Sequence, residues 1–121
     1  MKQVLIVDDS NVIRKVAKRI LETLEFTTVE ADDGQKALDI CTAHMPDAIL
    51  LDWNMPVMDG LTFLKTLRTM PGGAVPKVVF CTAENDISNI ARAMHAGADE
   101  YIMKPFDRRI IRSKFEEIGL V

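Results

Sequence analysis

Residues 48–60, AILLDWNMPVMDG, decide how the chain is read. Ile49, Leu50 and Leu51 make a short unbroken apolar run, the pattern of a parallel strand covered on both faces, and the run stops at an acid, Asp52. A carboxylate is therefore expected at the carboxyl end of a buried strand. Pro56 interrupts regular structure, and Asp59-Gly60 supplies turn chemistry before a helical pattern opens at Leu61. On this stretch alone, Asp52 reads equally well as a turn residue that closes a strand.

The flanking sequence repeats the arrangement. Residues 3–7 (QVLIV) form an apolar strand ending in Asp8-Asp9-Ser10. Ser10 is placed to cap a helix whose apolar positions Val12, Ile13, Val16, Ile20, Leu21 and Leu24 recur at the helical period. Residues 27–31 read as a β-branched strand, Asp32-Asp33-Gly34 as a turn, and residues 35–43 as a helix with Ala37, Leu38 and Cys41 on one face. After Gly60, Leu61, Phe63, Leu64 and Leu67 mark a third helix, ended by Met70-Pro71-Gly72-Gly73. Residues 77–81 form a fourth apolar strand that stops at Thr82, and a helix over 85–95 stops at Gly97, the residue type suited to a left-handed backbone. A short strand over 100–103 leads into Lys104-Pro105. A last helix carries Ile110, Ile111, Phe115 and Ile118, with Gly119 near its end.

Five strands alternating with five helices through short links predict an α/β fold, a five-stranded parallel sheet with helices on both faces. At 121 residues the chain has the length of one domain, so residues 1–121 are taken as a single unit. A net charge of -3 and a pI near 5.3 lack the basic footprint of a nucleic-acid binder. No apolar run is long enough to span a bilayer and the start of the chain has no signal-peptide pattern, so a cytoplasmic location and no membrane partner are expected. Cys41 and Cys81 lack metal-ligand spacing and read as small buried hydrophobes. His44 and His95 fall near helix ends and are assigned no chemistry.

In a parallel sheet all strands finish on one rim, which gathers Asp8, Asp9, Asp52, Thr82 and Lys104. Two carboxylates ~5 Å apart at an effective dielectric of ~20 repel by ~3 kcal/mol. Three then require either that one take up a proton or that a divalent cation neutralise them. An all-oxygen donor set favours Mg²⁺, Mn²⁺ or Ca²⁺ over zinc, and Mg²⁺ commonly shares its shell with a phosphate. A hydroxyl and an ammonium on the same rim suit a transferred phosphoryl group. Each of the five has a plain reading as a cap, strand or solvated residue; their joint placement is what points to chemistry.

Asp8-Asp9, Asp52-Trp53-Asn54-Met55-Pro56 with Met58-Asp59-Gly60, Thr82-Ala83 and Lys104-Pro105-Phe106, in this order and spacing, resemble the receiver domains of two-component response regulators. The resemblance implies strand order 2-1-3-4-5, a flavodoxin-like doubly wound sheet, with the site between strands one and three. It implies that Asp52 is the phosphoacceptor and that Asp8, Asp9, Asp52 and the backbone carbonyl of Asn54 hold Mg²⁺, with Mn²⁺ as a substitute. Lys104 would pair with the phosphoryl group, and Thr82 and Tyr101 would form a switch. Trp53, Asn54, Glu84 and Tyr101 place the chain nearest the stand-alone chemotaxis regulators of this family. That subgroup implies an output surface of Ile90, Met94, Tyr101, Met103 and Lys114, with Asn54 and Glu84 tuning dephosphorylation.

The partners so implied are a histidine kinase, a flagellar motor switch protein or another target, and a phosphatase, with the domain a signalling switch rather than an enzyme. The chain stops after the last helix, so the expected signal leaves through a surface of this domain. A single-domain phosphorelay or cell-cycle regulator is the alternative within the family. Outside it stand an aspartyl-phosphate phosphohydrolase and a flavodoxin-like cofactor binder. The latter would want a Gly/Ser/Thr-rich loop after strand one, where this chain has Asp8-Asp9. Arg108, Arg109 and Arg112 form a basic patch on the last helix that reads as a solvated face.

Overall fold

A computed structural model describes residues 2–82 and 87–121. The chain runs β1 (Gln3–Val7), α1 (Asn11–Thr23), β2 (Thr27–Ala31), α2 (Gly34–Ala43), β3 (Ala48–Asp52), α3 (Gly60–Thr69), β4 (Lys77–Thr82), α4 (Ile87–Ala96), β5 (Glu100–Met103) and α5 (Arg108–Glu117). The strands pair in parallel in the order β2-β1-β3-β4-β5, as the resemblance implied. The elements follow the sequence reading to within a residue or two, and the predicted first residues of the fourth helix, Asn85 and Asp86, lie outside the described residues.

The two-residue period of the strands sorts their side chains into two cores. Leu5, Val7, Ile49, Leu51, Val78 and Phe80 meet Ala37, Leu38, Cys41, Phe63, Leu64, Leu67 and Ala93 from α2, α3 and α4. Val4, Ile6, Ala48, Leu50, Val79, Cys81 and Ile102 meet Ala17, Leu21, Ile111 and Phe115 from α1 and α5, with Phe26 packed edge-on against Phe115 at 5.5 Å. Both cysteines are buried free thiols. Burial pushes Cys41 up to about 11, so neither its position nor its acidity suits a reactive thiolate.

Helix starts are set by side-chain caps. Ser10, Asp33, Asp59 and Asp107 each accept a hydrogen bond from the amide three residues on, at Ile13, Lys36, Thr62 and Ile110. Gly97 takes φ 115 after α4, the left-handed conformation expected there. The buried stripe of α1 is narrower than its apolar periodicity predicts. Val12 and Val16 are exposed at 69% and 42%, while Ala17 and Leu21 are fully buried. Ile110 on α5 is likewise exposed, and Ile111 and Phe115 carry the core. In both helices the exposed residue lies one position, about 100°, from the inward line, so a run of adjacent apolar residues blurs the face.

Arg68, at the end of α3, ties together the base of the sheet. Its Nη1 donates to the carbonyls of Gly73 and Pro76, each at 2.8 Å. Its Nη2 and Nε donate to the Gly97 carbonyl at 2.7 and 3.1 Å. Nη2 also reaches the Asp99 carboxylate at 3.1 Å, which in turn accepts the Val78 amide at 2.8 Å. Only a planar fork satisfies so many acceptors at once. Arg68→Ala is expected to cost about 2–3 kcal/mol, because four acceptors lose a partner, and Arg68→Lys to recover less than half of it. Urea unfolding of the two variants measures both values.

Candidate functional site

The strand register assembles the rim. Val7 lies opposite Leu51, which sets Asp8 beside Asp52; Asp52 lies opposite Cys81, and Thr82 opposite Met103. Asp8, Asp52 and Thr82 are all buried, whereas Asp9 is exposed. Carboxylate oxygens of Asp8, Asp9 and Asp52 lie within 4.8 Å of one another. Lys104 enters from the end of β5, its amide donating to the Thr82 carbonyl at 2.7 Å, and the Lys104–Pro105 peptide is cis. Its ammonium donates to Asp8 Oδ2 at 2.7 Å and Asp52 Oδ1 at 3.0 Å. The five rim residues named from the sequence thus converge at one end of the sheet.

Burial pushes the Asp52 carboxyl above its ordinary value; the Lys104 hydrogen bond pulls it back, and the Asp8 charge adds to the rise. Burial would lower the Lys104 ammonium, but its hydrogen bonds to Asp8 and Asp52 outweigh that and hold it above its ordinary value. Three carboxylates less one ammonium leave two negative charges, matched by one divalent cation. The oxygen donors and their spacing fit a hard ion such as Mg²⁺, with one exposed edge at Asp9 left for water and substrate.

The loop after Asp52 is braced by two close backbone approaches. Gly60 donates its amide to the Trp53 carbonyl at 2.9 Å, and a Cβ at this position would fall 2.1 Å from the Asp52 carbonyl oxygen. Gly34 donates to the Met58 carbonyl at 3.1 Å, where a Cβ would meet that oxygen at 2.7 Å. Neither glycine accepts a side chain without moving the acceptor loop. Between them Val57 is 83% exposed at φ 67, a conformation β-branched residues rarely adopt. Asn54 is exposed and, with Asp9, Met55, Pro56 and Asp59, lines an open cleft of about 540 Å³ beside the acids.

Of the residues named for the switch, Thr82 stands on the rim and Tyr101 on β5, with the output surface on α4, β5 and α5. By strand alternation Thr82 shares the face of Phe80, and Tyr101 packs against that same core. Lys114 sits 5.2 Å from the Tyr101 ring centroid and pairs with Glu100 at 3.6 Å and Glu117 at 3.8 Å. Ile90 is half-buried against the core, Met94 is 39% exposed and Met103 half-buried. Glu84 lies outside the described residues. Two features went unnoticed in the sequence. Trp53 packs edge-on against Phe80 at 5.0 Å, with Arg92 of α4 5.8 Å from its ring. Arg14 of α1 bonds the Asp8 carbonyl. The pairing of residues 53 and 92 had no local signal, but Arg14 did: it is in line with Ala17 and Leu21, a cation on the inward stripe.

Comparison with known proteins places this geometry. A family profile described as the response regulator receiver domain matches residues 4–116. The chain is 38% identical over 117 residues to the chemotaxis protein CheY of Pseudomonas aeruginosa, covering 96% of this chain and 94% of that one. It is equally similar, at 38%, to CheY-3 of Vibrio cholerae, of which 90% is covered. Among solved structures, the chemotaxis response regulator CheY4 of Vibrio cholerae superposes with a TM-score of 0.91 at 29% identity, over 98% of both chains. A CheY-like receiver domain protein of Methanospirillum hungatei gives 0.87 at 30% identity, over 98% of this chain and 93% of that one.

Two outcomes test the site. An Asp52 raised above its ordinary value means that the folded state holds more protons than the unfolded one from about pH 4 up to that raised value, so stability falls as pH rises through this window and stays lowered above it. Asp52→Asn is therefore expected to melt about 3–5 °C above wild type at pH 7.5 without metal, a gain that shrinks towards pH 4. Equal melting temperatures at pH 7.5 would contradict the raised value. Val57→Asn, a residue that tolerates positive φ, is expected to add about 1 kcal/mol in chemical denaturation.

Proposed function

This chain belongs to the response regulator receiver domain family, and we propose that it works as a phosphorylation-activated switch that accepts a phosphoryl group from a histidine kinase on Asp52. Receiver domains of this CheY type serve phosphorylation-dependent signalling and are switches rather than classical enzymes. The observation that carries the assignment of Asp52 is the Lys104 ammonium, shared between Asp8 at 2.7 Å and Asp52 at 3.0 Å. It leaves a buried carboxylate oxygen beside a fixed positive charge, the arrangement an incoming phosphoryl group needs.

In this mechanism a carboxylate oxygen of Asp52 attacks the phosphorus of a phosphohistidine. The new O–P bond forms as the P–N bond breaks, and the imidazole, carrying a proton on its other ring nitrogen, takes the P–N electron pair and leaves as a neutral group. Asp8, Asp9, Asp52 and the Asn54 carbonyl would hold a divalent cation, Mg²⁺ or in its place Mn²⁺, which would supply positive charge to offset that of the phosphoryl oxygens. Lys104 shifts its ammonium from the carboxylate towards the phosphoryl oxygens. Burial of Asp8 and Asp52 keeps competing water from their inner edges, and Asn54 at the cleft mouth, with Glu84, positions the water that later hydrolyses the acyl phosphate.

The Thr82 hydroxyl then turns to the bound phosphoryl group, and Tyr101 moves inward behind it. Because Lys114 rests against the Tyr101 ring, that motion reaches the surface formed by Ile90, Met94, Tyr101, Met103 and Lys114. A target shifts this equilibrium only through its different affinity for the two forms. The named relatives being chemotaxis proteins, the target proposed is the flagellar motor switch, in the cytoplasm.

The experiment is labelling by a radiolabelled phosphohistidine donor, followed by capture of partners with and without beryllofluoride. Asp52→Asn and Asp52→Ala are expected to lose labelling entirely, and Lys104→Ala to take up label at least about 10²-fold more slowly, the usual cost of losing one charge-stabilising donor. Undiminished labelling of both Asp52 variants would rule out Asp52 as acceptor. Beryllofluoride-dependent capture of a motor switch protein supports the proposed target; capture of a histidine phosphotransfer protein in its place assigns the domain to a phosphorelay.

A further inference from the structure

Arg14 stands on α1 in line with the fully buried Ala17 and Leu21. A guanidinium on a core-facing stripe must find acceptors, and this one finds them on three segments. Its Nη1 donates to the backbone carbonyl of Asp8 at 2.6 Å, its Nε to Glu30 Oε1 of β2 at 3.1 Å, and its Nη2 to Asn11 Oδ1 at 3.3 Å. The Arg14 side chain is 14% exposed, and of its three contacts the one to the Asp8 carbonyl is the most sheltered, since Glu30 and Asn11 both face solvent.

The carbonyl it grips belongs to the peptide unit joining Asp8 to Asp9. A peptide is planar, so fixing that oxygen also fixes the Asp9 nitrogen and the direction in which Asp9 leaves the backbone. The rest of Asp8 is tied down independently. Its amide donates to the Ala31 carbonyl at 3.1 Å, and its Oδ1 accepts the Ser10 amide at 2.9 Å. Asp9, exposed at the rim, has no burial to hold it in place. Its aim depends on the plane that Arg14 holds.

We infer that Arg14 is a positioning residue for the acidic pair, a fork anchored by Glu30 that sets the Asp8–Asp9 peptide plane so that both carboxylates face one cation. The inference rests on the reading that Asp8, Asp9 and Asp52 hold a divalent cation. Two roles of Arg14 have opposite signs. As a nearby positive charge it repels the cation, so its removal would tighten binding. As a fork it aims the ligands, so its removal weakens binding, and Arg14→Lys, which keeps the charge but loses the planar geometry, weakens binding too.

Titration calorimetry with Mg²⁺ and with Mn²⁺ on wild type, Arg14→Lys, Arg14→Ala and Glu30→Gln separates these roles, with melting in EDTA measured alongside. Both Arg14 variants are expected to bind either metal at least about 10-fold more weakly, as for other residues that orient metal ligands. Arg14→Lys should melt within about 2 °C of wild type without metal, a shift too small for a general loss of folding. Wild-type affinity in Arg14→Lys, tighter binding in Arg14→Ala, or a loss of affinity matched by a comparable loss of metal-free stability overturns the inference. If neither Arg14 variant folds, Glu30→Gln decides it: weaker binding at unchanged metal-free melting supports the role, and unchanged binding refutes it. Absence of binding by wild type would refute the cation site itself, a different outcome from any of these.

Discussion

One ammonium lying between two buried carboxylates constrains the whole upper end of this molecule. Lys104 can reach Asp8 and Asp52 together only because β1 and β3 are neighbours in register and β5 delivers the lysine from the other side of β4. Buried charges persist only when paired, and removing the lysine would leave two buried acids without their cation. The parallel order of the strands, the close approach of Gly60 to Asp52 and the turn after Asp8 all serve to hold these three groups within hydrogen-bonding reach.

The pairing also describes a site that is incomplete in charge. The lysine offsets one of three acids and leaves two negative charges, which one divalent ion would balance, and Asp9 is the acid that faces solvent. Asp52 is the acid whose ionisation burial penalises most visibly, and it is also the one whose oxygen would be nucleophilic. Forming an acyl phosphate would take the charge off that carboxyl and place it on phosphoryl oxygens, where the Lys104 ammonium lies within reach.

Much of this was legible in the chain. Strands β1, β3 and β4 were marked by apolar runs with a polar stop, β2 by its β-branched residues, and the polar residues that follow the strands named Asp8, Asp52, Thr82 and Lys104. Helix starts were equally open to reading, since Ser10, Asp33 and Asp59 are capping types placed before periodic segments. What escaped was side-chain contact over long separations. Nothing near Trp53 announces Arg92, and nothing near Arg68 names the carbonyls of Gly73, Pro76 and Gly97, because backbone acceptors carry no sequence signature. The faces of α1 and α5 were blurred by adjacent apolar residues, Val12 beside Ile13 and Ile110 beside Ile111, whose periodicity does not say which of the two turns inward. Arg14 was readable in principle and passed over because a charged residue on a helix is usually solvated.

The division of the core into two packed layers has an evolutionary corollary. Each strand alternates between them, so a substitution on the layer beneath α2, α3 and α4 need not disturb the layer beneath α1 and α5. Tyr101 and Ile90 belong with the first layer, while the helix that carries Arg14 belongs with the second. A lineage can therefore remodel the face around Tyr101 and Ile90 without disturbing the layer beneath the helix that carries Arg14.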